Sequence, residues 1–301
     1  MVKLRTPLLA LLTLLAPLDA AALTVVATLP DLGAIAKTVG GPDAKVTVLA
    51  SAKQDPHYID PRPSLMLPLR RAELLLVNGL QLEQGWLPPL IQGARNPRIQ
   101  VGTQGYLDTS FFVQRLQVPT TRVSRAMGDV HPGGNPHFTH DPRQGARIAT
   151  AIGRRMALLD PTHAKGYLAR AKALTTRLTK LVATQRARFI KLPASKRKLV
   201  SYHRSLTYLY ECLKLTEVAT IEPRPGIPPS PGHTAKVMTT MRQMGVRVIA
   251  QESFYPRRVS QTLARLVKGA VVVLPGGAKP GETYEARATR TVEALYAALS
   301  R

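Results

Sequence analysis

Short apolar runs rich in β-branched residues alternate along the chain with segments whose apolar residues recur at helical spacing. In the first half, the runs that resemble strands are Leu23–Thr28, Lys45–Ala50, Leu74–Val77 and Ile99–Val101. In the second half they are Leu199–Tyr202, Val218–Ile221, Val246–Ala250 and Ala270–Leu274. Helical spacing is found in Leu32–Val39, Gln144–Leu159, Thr234–Met244, Arg257–Val267 and Tyr284–Leu299. Such alternation is typical of βαβ units, so the pattern predicts an α/β fold with two parallel sheets.

A longer helical segment separates the two sets of strands. It runs without Gly or Pro from Tyr167 to Leu192, after Asp160-Pro161, which suit the N-cap and the first helical position. A helix of this length measures about 39 Å at 1.5 Å per residue, enough to cross a domain. We therefore predict two Rossmann-like α/β lobes, residues 23–159 and 193–301, joined by one long rigid helix within residues 160–192.

The amino terminus has the pattern of a secretory signal peptide. Lys3 and Arg5 precede the apolar stretch Leu8–Leu18, and small residues follow up to Ala22. The alternative of a buried first helix is disfavoured because Pro17 interrupts the stretch. The stretch is also too short to be a membrane-spanning helix. We predict a signal peptide over residues 1–22 and a mature protein that is periplasmic and soluble. Since no cysteine lies near the cleavage point, we expect no lipid anchor.

Composition excludes several classes of protein. Hydrophobic residues make up 45% of the 301 residues, as in a globular chain, and the single cysteine excludes a disulfide framework or an all-thiolate metal site. Lys and Arg number 42 against 18 Asp and Glu, which gives a net charge of +24 and suggests a nucleic-acid partner. However, the basic residues are spread along the chain without any DNA- or RNA-binding motif. We therefore predict a solvated basic surface and no nucleic-acid partner.

Three histidines follow strands or precede helices at places where α/β proteins bind ligands. His57 lies in the loop after the second strand, His137 lies in the loop GDVHPGGNPHFTHDP, and His203 directly follows the first strand of the second lobe. Because two come from one lobe and one from the other, they could converge in a cleft between the lobes and bind a metal ion. His131 and His140 flank His137, and their roles stay open.

Seven segments carry a family resemblance that covers the mature chain. They are LTVVATLPDLGAIAKTVGG, DPHYIDPRPS, NGLQLEQGWLPPLI, GDVHPGGNPHF, VSYHRS, EPRPGIPPSP and QESFYP. In this order they resemble the zinc/manganese class (TroA-like) of ABC-transporter solute-binding proteins. The resemblance implies a binding protein, not an enzyme, that captures a divalent transition metal between its lobes and delivers it to a membrane permease. It places the metal ligands on His57, His137 and His203, and we expect a monomer.

The fourth ligand is where the sequence departs from the resemblance. Many members of that class have an Asp just after the last strand, and this chain has LPGGAKPG there. The two nearest carboxylates are Glu252, at the end of a strand, and Glu282, beyond the loop. Glu252, Glu282 and water therefore all remain candidates for the fourth position.

The donor set favours zinc over manganese, because imidazole suits zinc whereas manganese prefers oxygen ligands. Three imidazoles with one carboxylate or water would make the near-tetrahedral site that zinc accepts. A secreted zinc-dependent hydrolase or lyase is the alternative from another class, but the chain contains no H-E-x-x-H motif. A surface adhesin is a third possibility, which only the basic surface favours.

Overall fold

The computed structural model describes residues 21–124 and 127–301. Its first lobe is built on a sheet of four parallel strands, in the order β2-β1-β3-β4. The strands are β1 (Leu23–Ala27), β2 (Ala44–Val48), β3 (Leu74–Val77) and β4 (Tyr106–Asp108). All four residues of the central strand β3 are buried, which explains its unbroken apolar sequence.

Four helices accompany this sheet: α1 (Pro30–Gly40), α2 (Met66–Arg70), α3 (Leu87–Ala94) and α4 (Pro142–Leu159). The predicted strand Ile99–Val101 is wrong. Residues Pro97–Ile99 form a 3-10 turn instead, because the Asn96 side chain accepts a hydrogen bond from the Arg98 amide. The fourth strand of the sheet, β4, follows this turn.

The long helix α5 (Ala164–Ile190) packs along α4 and α1. The two longer helices approach closely at Gly153, where an added Cβ would lie 2.6 Å from the Ala171 Cβ. Together α4 and α5 carry eleven Lys and Arg residues and no Asp or Glu. The predicted linking helix is thus present, and the charged residues of these two helices are all cationic.

The second lobe repeats the arrangement with strands in the order β6-β5-β7-β8, all parallel. Its strands are β5 (Lys198–Ser201), β6 (Thr216–Thr220), β7 (Val248–Glu252) and β8 (Ala270–Leu274). Its helices are α6 (Thr207–Leu213), α7 (Pro231–Gln243), α8 (Arg258–Leu266) and α9 (Tyr284–Ser300). The predicted fold class, two parallel-sheet α/β lobes joined by one long helix, is confirmed.

A buried ion pair ties the last helix to the first lobe. Arg287 of α9 pairs with Asp31 of α1, and its Nε lies 3.0 Å from the Asp31 Oδ1. The same carboxylate accepts a hydrogen bond from the Ala278 amide at 2.9 Å, and Arg287 also donates to the Thr139 carbonyl at 2.8 Å. Both charged side chains are buried, so the lobes share a polar contact that is shielded from water.

Within residues 21–124 and 127–301, no helix combines the length and the hydropathy needed to cross a bilayer. The predicted signal peptide lies almost wholly outside the described residues, so its cleavage stays a prediction.

Candidate metal centre

The structure brings His57, His137 and His203 together between the two lobes. One ring nitrogen from each lies within 4.8 Å of the others, and the Nε2 atoms of His137 and His203 are 3.2 Å apart. The ring centroids are separated by 5.0 to 5.7 Å, and the rings meet edge to face. The loop after β2 supplies the first of these residues, the loop before α4 the second, and the end of β5 the third.

The loop that carries His57 is shaped by Asp55. The Asp55 carboxylate oxygen Oδ1 accepts hydrogen bonds from the His57 backbone amide at 3.0 Å and from its Nδ1 at 2.7 Å. Trp86 supports the same loop by donating its indole N–H to the Pro56 carbonyl. The opposite nitrogen of the imidazole, Nε2, is buried and has no hydrogen-bond partner. Its lone pair is therefore free to bind a cation.

His203 is oriented in the same way by Glu222, which follows β6. Its Nδ1 lies 2.7 Å from the Glu222 Oε2, and both side chains are largely buried. Burial lowers the pKa of His203, but the hydrogen bond and the charge of Glu222 outweigh it, so the net pKa lies above its usual value. A carboxylate on the outer nitrogen of a ligating histidine fixes the tautomer and strengthens the donor.

His137 is buried and is held by Asn135. The Asn135 side chain accepts a hydrogen bond from the His137 amide at 2.9 Å and donates to the carbonyl of Arg204 at 2.7 Å. The Asn135 side chain thus connects the loop that carries His137 to the segment that follows His203 in the other lobe. Burial and then the neighbouring imidazoles hold the pKa of His137 well below its usual range. The ring is therefore neutral at pH 7 and can act as a ligand.

Distances within the cluster fit a tetrahedral transition metal. Zinc binds imidazole nitrogen at about 2.0–2.1 Å, so two such ligands at a tetrahedral angle lie about 3.4 Å apart. The 3.2 Å separation of the two Nε2 atoms is close to this value. The arrangement can therefore chelate one ion without large movement of these two rings.

Comparison with known proteins agrees with this geometry. Residues 25–298 match the family described as ZnuA, zinc-uptake complex component A, periplasmic. The chain belongs to the ZnuA family. It is therefore a periplasmic metal-binding protein of the ABC-transporter substrate-binding class, not an enzyme, and proteins of this class deliver metal to a permease.

Two curated relatives and a solved structure show how far the similarity extends. The manganese ABC transporter substrate-binding lipoprotein PsaA of Streptococcus pneumoniae is 24% identical, over 81% of this chain and 76% of its own. The iron-binding protein YfeA of Yersinia pestis is 25% identical, over 90% and 84%. A crystal structure of ZnuA superposes with a TM-score of 0.78 at 23% identity, covering 92% of this chain and 99% of that one.

Glu252 lies beside the three histidines of this ZnuA-family site but is not among the donors that converge. Its Oε1 accepts a hydrogen bond from the Ser205 hydroxyl and lies 3.7 Å from the Nε2 of His140. Its Oε2 is buried without a partner. Burial raises the pKa of Glu252 to about 7. The carboxylate lines a small cavity of about 30 Å³ together with His137 and His140, which is room for a water molecule.

Glu282, the other predicted carboxylate, is not brought to the histidines. Its two oxygens are held by Arg290 at 2.8 Å, and one also accepts a hydrogen bond from the Lys279 amide at 2.9 Å. It lines a separate, wider cavity below the loop that follows β8. The negative charge of Glu282 is thus already matched by Arg290 of helix α9.

Asp55 and Glu222, the partners of two ligand histidines, were not predicted from the sequence. Asp55 could have been found from the tripeptide Asp-Pro-His, because an Asp two residues earlier can accept hydrogen bonds from the later residue. Glu222 had a weaker signal, its position just after strand β6, which ends beside β5. The structure also places His131 against His57, with ring centroids 5.4 Å apart. Burial lowers the pKa values of His131 and His140 to about 4.

Proposed function

We propose that this protein is the zinc receptor of an ABC importer and binds the ion through His57, His137 and His203. The observation that carries the proposal is the convergence of three imidazoles with Nε2 atoms turned inward, two of them backed by carboxylates. The donors within 4.8 Å of one another are all nitrogen, which suits zinc better than manganese. The names of the relatives do not decide the metal, since PsaA is called a manganese protein and YfeA an iron protein.

We propose that Glu252 acts from outside the coordination sphere. Its carboxylate is engaged by Ser205, and its charge acts to raise the pKa of His203. A buried negative charge near a bound dication stabilises the complex without a direct bond. Glu282 has no part in this proposal, because Arg290 holds its carboxylate.

Titration of the metal-free protein tests the proposal. We expect one zinc ion per chain, bound more tightly than manganese, when each metal is titrated by calorimetry in a non-chelating buffer. His137→Ala should weaken zinc binding by about 100-fold or more, because one of the few ligands of a tetrahedral site is lost.

His163→Ala is the matched control, because this histidine is bonded to Asp160 at the start of the long helix, away from the cluster. It should bind zinc as the wild type does. Manganese bound more tightly than zinc would refute the choice of metal. A His137→Ala protein with wild-type zinc affinity would refute the site.

A further inference from the structure

One imidazole outside the three-histidine cluster has a buried nitrogen without a partner. In the described part of the chain, the Nε2 atoms of His57 and His131 are the only imidazole nitrogens that are buried without a hydrogen bond. Leaving a buried polar atom unpaired is energetically costly, so such atoms are rare unless something binds them. The unpaired nitrogen of His57 faces the metal centre, where a bound ion would be its partner. The unpaired nitrogen of His131 could bind the same ion.

The ring of His131 offers a nitrogen to a cation. Its Nε2 is buried and has no hydrogen-bond partner, as is also true of the Nε2 of His57. In His57 and His203 the outer nitrogen, Nδ1, is bonded to a carboxylate, which leaves Nε2 for the ion. The unpaired Nε2 of His131 is the corresponding donor atom of a fourth imidazole.

The position of His131 connects it to all three members of the cluster. Its ring is stacked on His57, with an interplanar angle of 30°. It also lines a cavity of about 110 Å³ together with His137 and His203, and an open groove of about 610 Å³ with His57 and Asp129. The imidazole thus stands between the open groove and the metal centre.

The segment around His131 packs closely against the turn formed by Leu80 and Gln81. Leu80 and Gln81, in the turn after β3, both have positive φ angles, 53° and 61°. Gly133 packs against this turn, and an added Cβ would lie 2.8 Å from the Leu80 Cδ2. Two adjacent non-glycine residues rarely adopt such angles, so contacts such as these must hold the turn in place.

We propose that His131 supplies the fourth ligand of the bound ion. The inference rests on the proposed function, because it assumes that His57, His137 and His203 bind the metal. His131 is not among the donors that lie within 4.8 Å of one another, so ligation by its Nε2 requires the ring to turn toward the other three. The bound ion then has four imidazole ligands, and the His131 ring separates it from the open groove. Such a site has no oxygen donor, which disfavours manganese.

X-ray absorption at the zinc edge tests this on the wild-type protein loaded with one equivalent of zinc. Imidazole rings give multiple-scattering features that are proportional to their number. We expect four imidazoles in the wild type and three plus one oxygen in His131→Ala. Zinc affinity should fall at least about tenfold in that variant, since a Zn–N bond is replaced by a bound water.

Two variants serve as controls. His163→Ala should keep four imidazoles and wild-type affinity. Glu252→Gln should also keep four, whereas a carboxylate ligand in place of His131 would appear as three imidazoles and one oxygen in the wild type.

Three imidazoles in the wild type, or unchanged zinc affinity in His131→Ala, would overturn the role of His131 while leaving the three-histidine site intact. A wild-type protein that binds no zinc would overturn the proposed function as well. The two failures are therefore distinguishable.

Discussion

The buried ion pair between Asp31 and Arg287 is expected to be a principal link between the lobes. Asp31→Ala leaves a fully buried guanidinium without its carboxylate and removes the acceptor of the Ala278 amide. Removing one partner of a buried pair costs about 3–5 kcal/mol, a large share of a typical free energy of unfolding. The remaining hydrogen bond from Arg287 to the Thr139 carbonyl cannot replace the lost charge.

Urea unfolding followed by two signals measures both the cost and its location. Trp86, the only tryptophan of the chain, is buried in the first lobe, whereas circular dichroism reports on both lobes. In the wild type, we expect the unfolding transitions followed by Trp86 fluorescence and by circular dichroism to coincide. In Asp31→Ala, both transitions should move to lower urea concentrations and should separate from each other.

Asp60→Ala is the control, since its exposed carboxylate lies 3.9 Å from Arg62 and should contribute less than about 0.5 kcal/mol. If Asp31→Ala unfolds within about 1 kcal/mol of the wild type, this pair does not join the lobes as described.

Three further predictions concern the metal centre. Glu222→Gln should weaken zinc binding by about 10–100-fold, measured by calorimetry, because the support of the His203 ring loses its charge; equal affinity would contradict this role. The pKa of His203 lies above the usual histidine value of about 6.5. Protons therefore compete with zinc for this ring as the pH falls through the pKa of His203. Zinc affinity should therefore drop from pH 8 to pH 5, and a flat profile would exclude this competition. Glu282→Ala should leave zinc affinity unchanged, and a marked loss would return this residue to the site.

The sequence could predict the three-histidine cluster because its geometry follows from topology. Ligands of parallel α/β sheets bind beyond the carboxyl ends of the strands, so the loop after β2 in one lobe and the end of β5 in the other can face the same cleft between the lobes. His57 and His203 occupy such positions. The long helix was equally predictable, since no Gly or Pro interrupts it.

Other features depend on contacts that the sequence does not show. The apolar run near Ile99 is too short to distinguish a strand from a turn, and a single hydrogen bond to Asn96 decides the outcome. Glu282 was a reasonable ligand candidate until its pairing with Arg290, eight residues away, became visible. The ring of His131 is stacked on His57, which lies 74 positions earlier in the chain and in another loop.

The positive charge of the chain, to which α4 and α5 contribute eleven Lys and Arg residues, affects how fast a metal ion arrives. A dication that approaches a chain with a formal charge of +24 is repelled at long range, and dissolved ions screen that repulsion beyond about 10 Å at 0.1 M ionic strength. Asp60 and Asp129, which line the open groove, attract the dication only at short range. Added salt should therefore accelerate zinc capture, the opposite of the slowing seen when a ligand and its receptor carry opposite charges.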